Sequence, residues 1–91
     1  MIIDADGDTV EFKSDPFFFA RERDGLKNNT VRYFKNSYEE NRFRSSLFGL
    51  SWVRIRNMET GDTFERIITD ISTLPDCVPT VYIISWEARH G

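Results

Sequence analysis

The clearest periodicity in the chain runs through residues 51–72. Over Ser51-Trp-Val-Arg-Ile-Arg-Asn57 the residues alternate strictly, with Trp52, Arg54 and Arg56 on one side and Val53 and Ile55 on the other. That is the pattern of a strand with one face in a core. Met58-Glu-Thr-Gly61 makes a turn, and residues 62–72 return antiparallel, alternating through Phe64 and Arg66 before shifting to Ile67, Ile68 and Ile71. Such a change of phase marks a bulge, a device that bends a strand. Beyond Leu74-Pro-Asp-Cys-Val-Pro79, a loop stiffened by two prolines, residues 80–86 form a continuous β-branched and aromatic run. This predicts a central or closing strand covered on much of both faces. Residues 87–91 read as a frayed tail.

The first half of the chain is less regular. Asp6-Gly7 between Ile2-Ile3 and Thr9-Val-Glu-Phe12 predicts a hairpin, because the pair tolerates the positive φ of a tight turn; Ile3 with Val10 or Phe12 would face the core. Ser14-Asp15-Pro16 is a helix start, with a capping side chain followed by a residue that lacks the N–H a first turn leaves unused. The helix is expected over residues 15–24 and is closed by Gly25. Phe17, Phe18, Phe19 and Ala20 are too continuous to be buried together, so one phenylalanine is expected at the surface, as a lid over the core or as a stacking platform. Residues 29–34 form a strand that sets Thr30 and Arg32 on one side, with Val31 and Phe34 as partner or core positions. A second short helix is expected near 38–46, carrying Tyr38, Arg42, Phe43 and Arg44. That mixture suits a recognition loop and equally any long surface connection. Together these elements predict one α+β domain over residues 1–91: a mostly antiparallel, partly closed barrel of five or six strands with one or two short helices.

Composition narrows the chemistry. Eight phenylalanines in 91 residues supply one substantial core. Cys77 is the only cysteine and His90 the only histidine, so an internal disulfide, a zinc site of the usual ligands and a histidine-based hydrolase triad all lack residues. Asp4, Asp6 and Asp8 alternate like the start of a calcium loop. Phe12 and Asp15 then stand where that loop has polar ligands and a terminal glutamate, so an acidic turn is the reading. No metal and no cofactor is expected. There is no apolar run near 18 residues and no charged leader before one, which points to a soluble, cytoplasmic protein with no membrane partner. Residues 21–44 hold seven basic and four acidic side chains, +3 within a chain of net −3, so the remainder carries −6. A local basic region suits a confined anionic ligand better than a long duplex track, and a solvated salt-bridged surface accounts for it nearly as well.

Lys27, Thr30 and Arg32 can converge where the helix stops and the strand leaves. Gly25-x-Lys27-x-x-Thr30-x-Arg32 resembles the Gly-x-Lys-x-x-(Glu/Thr)-x-Arg signature of the ASCH family, small β-barrels related to PUA domains. The resemblance implies such a barrel with RNA or a nucleotide, including a modified nucleoside, at its mouth. The candidate ligand-binding residues are Lys27, Thr30 and Arg32 with Tyr38, Arg42 and Arg44 on a nearby loop, and an exposed aromatic such as Tyr33, Tyr38 or Phe43 to stack on a base. Some ASCH-family members are amidohydrolases acting on an acylated cytidine through the motif lysine and threonine and a glutamate in an insertion before the last strand. Residues 72–79 here offer only Asp76, so enzyme activity is the less supported implication. Exposed aromatics and arginines also serve as anchors at protein interfaces, which keeps a protein-binding regulator or inhibitor as an alternative. The plain alternative to all of these is an ordinary loop lysine and an Arg32 paired with Glu11, Asp70 or another carboxylate.

Overall fold

The alternating segment is the middle of the sheet. In the computed structural model, which describes residues 1–87, the strands in chain order are β1 Ile2–Ile3, β2 Thr9–Ser14, β3 Asn29–Arg32, β4 Trp52–Asn57, β5 Thr63–Leu74 and β6 Val81–Trp86. Helix α1 spans Pro16–Arg23 and α2 spans Ser37–Ser46, followed by a 3-10 turn at Leu47–Gly49. Residues 88–91, with His90 and most of the expected tail, lie outside the described residues.

One six-stranded sheet has the order β1-β2-β4-β5-β6-β3, antiparallel throughout except for the parallel pair β2–β4. The N-terminal hairpin forms as expected around Gly7, whose φ of 77° needs a residue without a side chain. The β5 register slips between Ile68 and Asp70, where the sequence changes phase. β6 lies between β5 and β3, with Tyr82, Ile84 and Trp86 buried and the intervening residues half-buried.

The expected barrel is not closed. β1 pairs only through Ile2 and Ile3 with Glu11 and Val10, so the far end of β2 keeps an open edge. β3 is the other free edge, and a side chain rather than a backbone ladder links the two. Arg32 Nη1 donates to Lys13 O at 2.6 Å, Arg32 Nη2 to Ser14 Oγ at 2.6 Å, and the guanidinium lies over the Phe12 ring, 5.0 Å from its centroid. It takes the carbonyl that a closing ladder would use.

The core is Val10, Phe12, Val53, Ile55 and Ile84 from the sheet's inner face, capped by an aromatic cluster. Phe43, the buried residue of α2, meets Phe34 and Tyr82 with ring centroids 5.3 and 5.2 Å apart, in tilted and edge-on arrangements. Tyr82 Oη donates to Glu40 Oε2 at 2.7 Å; burial, with that carboxylate, pushes the phenol pKa up to about 12. α1 contributes Phe19 against Phe64. Two phenylalanines of α1 rather than one are at the surface, Phe17 and Phe18, packed edge-on to each other. No described helix is long and apolar enough to cross a membrane.

Trp52, Arg54 and Arg56 share the other face of β4, as their spacing requires. There Glu11, 3% exposed, accepts from Arg54 Nε at 2.7 Å and from Arg56 Nε and Nη2 at 3.0 and 3.1 Å. Arg54 also grips both oxygens of Asp4 at 3.0 and 2.7 Å. Hydrogen bonds from Arg56 and Arg54 hold the Glu11 carboxyl below its ordinary pKa, and the Arg54 bonds do the same for Asp4. Glu11 was one of the carboxylates that the plain alternative offered to Arg32, beside Asp70 and others. Arg54 and Arg56 take it instead, because they sit beside Glu11 on the same face of the parallel pair.

Candidate functional site

The site begins with how α1 ends. Asp15 caps its start by accepting from Phe18 N at 3.0 Å, and Pro16 occupies the first turn. At the other end Gly25 adopts φ 81°, and Leu26 N donates to Arg21 O at 3.0 Å, a bond by which a left-handed residue closes a helix. Lys27 N reaches the same carbonyl at 3.2 Å. The chain is thereby folded back so that the Lys27 side chain returns over the helix it has just left. Lys27 Nζ lies 3.7 Å from Glu22 Oε2, donates to Asn29 O at 2.9 Å and stands 5.6 Å from the centroid of the Phe18 ring.

A cavity of about 490 Å³ opens between α1, the end of β2 and β3. That volume is in the range of small-molecule sites. Its apolar lining comes from Phe18, Val31 and Met58, all exposed. Its polar lining includes Ser14, Glu22, Lys27, Thr30 and Arg32, with Lys13 and Asp15 beside them. Ser14, Glu22 and Thr30 are buried, Glu22 to 1% exposure.

Hydrogen bonds run through this group in one direction. Arg32 Nε donates to Thr30 Oγ1 at 2.8 Å, Arg32 Nη2 donates to Ser14 Oγ, and Ser14 Oγ donates to Glu22 Oε1 at 3.0 Å. With the bond to Lys13 O, three of the five guanidinium N–H groups have protein acceptors. Burial lowers the Arg32 pKa from its ordinary value, opposed in part by the charges of Glu22 and Asp15. Glu22 Oε2 accepts no hydrogen bond among the described residues.

Lys27, Thr30 and Arg32 are therefore brought to one cavity. Tyr38, Arg42 and Arg44 are not among its lining residues; they ride on α2, where Tyr38 is exposed under the Arg42 guanidinium, 6.0 Å from the ring centroid. Of the aromatics considered for stacking, Phe43 is fully buried in the core. Asp76 is exposed in the β5–β6 loop. The residue that sequence reasoning missed is Glu22, which entered it only as one of the four acidic side chains of residues 21–44. The signal was its spacing: three residues after Phe19, it shares the face that Phe19 turns to the core. Among the described residues no group of three or more His, Cys, Asp or Glu side chains could hold a metal ion.

No family model, no curated protein and no solved structure matches the chain. The likeness to ASCH domains rests on Gly25, Lys27, Thr30 and Arg32.

Proposed function

We propose that the chain binds a nucleotide, or a single unstacked base of an RNA, in the cavity between α1 and β3. The observation that carries this reading is the division of the cavity lining. Phe18, Val31 and Met58 offer apolar surface to the faces of a base, while Ser14, Glu22 and Thr30 form a buried polar group for its edge. Lys13 and Lys27 supply charge for a phosphate, and Arg32 retains two N–H groups beyond its internal bonds. A cavity of this size favours one nucleotide over a long strand, in keeping with the acidic charge of the whole chain.

The test is a titration of labelled protein with free nucleotides, modified nucleosides and short single-stranded RNA at two salt concentrations. Shifts should cluster on Lys13, Ser14 and residues 27–32. Affinity for phosphate-bearing ligands should fall as salt rises, and Lys13→Ala should reduce that salt slope by about one. Shifts elsewhere, or affinity indifferent to salt, would remove the phosphate-binding reading.

A second reading, hydrolysis of an acylated nucleoside, is supported by Glu22, which stands beside Lys27 in the cavity that also holds Thr30. It supplies a carboxylate from α1, where the loop before the last strand has only Asp76. Here Lys27→Ala should abolish release of the acid while the circular dichroism spectrum is retained; turnover at the original rate rejects the reading.

A further inference from the structure

Three buried side-chain atoms among the described residues lack a hydrogen-bond partner: Glu22 Oε2, Asn28 Oδ1 and Trp86 Nε1. Only Glu22 lines the cavity. An ionised carboxylate can accept at about four lone-pair sites, yet Glu22 takes one hydrogen bond, from Ser14 to Oε1. A buried acceptor left in this state is costly and is normally satisfied, so the unfilled oxygen calls for a donor. Lys27 does not fill that role. Its ammonium is 3.7 Å away, beyond hydrogen-bond length, and is tied to Asn29 O at 2.9 Å. A ligand that reaches Oε2 therefore displaces an ion pair containing no hydrogen bond, and frees Lys27, whose side chain is 27% exposed, to turn toward the ligand's outer part.

We propose that Glu22 is the specificity-determining residue of the cavity and selects ligands whose buried edge presents an N–H donor. This rests on the base-binding reading and sharpens it: Oε2 lacks a partner and a carboxylate oxygen can only accept, and the exocyclic amino group is the N–H donor that the edges of adenine, guanine and cytosine have in common. The surroundings reinforce the choice. Ser14 already donates to Glu22, Arg32 already donates to Ser14 and Thr30, and a ligand carbonyl aimed at the buried Oε2 would meet a lone pair.

The experiment measures affinity by calorimetry for pairs that differ only in replacing the amino group by hydrogen: guanosine with inosine, adenosine with purine riboside, cytidine with its 4-deamino analogue. At least one amino-bearing member should bind about 10- to 100-fold more tightly than its partner, the amount a hydrogen bond to a charged acceptor supports. Glu22→Gln keeps an oxygen for Ser14 and turns an amide N–H₂ toward the ligand, so it should erase that preference while the melting profile stays close to the parent's. Equal binding within every pair, or a preference that survives Glu22→Gln, overturns the role of Glu22 and leaves base binding intact. Binding by none of the six overturns both.

Discussion

Glu11 and Glu22 are both nearly inaccessible to solvent, at 3% and 1% exposure, but the chain treats them in opposite ways. Glu11 lies under two arginines and receives three charge-assisted hydrogen bonds. Glu22 receives one hydroxyl and a distant ammonium. The first arrangement leaves little for a ligand to gain, and it fastens β2 to β4. The second leaves an acceptor unfilled next to a cavity. Burial of charge alone does not tell the two carboxylates apart, whereas the tally of hydrogen bonds does.

The comparison breaks most visibly if Glu11 is removed. Glu11→Ala takes three charge-assisted hydrogen bonds from Arg54 and Arg56, which keep Asp4 and Gly61 O as partners, and should cost about 3 kcal/mol, read as a shift in the urea midpoint. Arg32→Ala should come next, at about 2 kcal/mol, because it opens the link between β3 and β2 and leaves Ser14 and Thr30 without their donor. Amide exchange should accelerate in β3 more than in β4. Glu22→Gln should be the smallest, within about 1 kcal/mol of the parent, since it loses only an ion pair without a hydrogen bond. A cost for Glu22→Gln as large as that of Glu11→Ala would erase the distinction.

Acid sharpens the same contrast. The carboxyls of Glu11 and Asp4 have folded pKa values below their ordinary ones, so each binds its proton more readily when unfolded. Their contribution to stability is therefore complete above about pH 5 and is lost as pH falls through the lowered folded values. Unfolding free energy measured from pH 7 down to 2.5 should show this decline, and Arg54→Gln should flatten it. A decline unchanged in Arg54→Gln would place its origin elsewhere.

The sheet's centre was legible because alternation reports directly on a half-buried strand: β4, β5 and even the bulge followed from where Trp52 to Ile71 change phase. The hairpin, α1 and the convergence of Lys27, Thr30 and Arg32 came from local signals of the same kind, Gly7, Asp15-Pro16 and Gly25. Two features were not legible. Glu22 was hidden because helix-face burial depends on what lies opposite, and its partner Ser14 belongs to another element. The open seam was hidden because nothing local to Arg32 says that its side chain, rather than the β3 backbone, will bond to Lys13 and Ser14 eighteen or nineteen residues away.

The parallel pair β2–β4 also bears on the order in which the molecule assembles. Its partners, such as Glu11 and Arg54, are 43 residues apart, whereas Ile55 meets Phe64 across a nine-residue hairpin. Closing the longer loop costs about 1.4 kcal/mol more chain entropy, roughly a tenfold slower search. The meander of β4, β5 and β6 is thus the quickest part of the chain to find its partners, with β2 arriving afterwards. Ser14 and Lys13 arrive with it, so the cavity wall they form is among the last parts of the domain to exist.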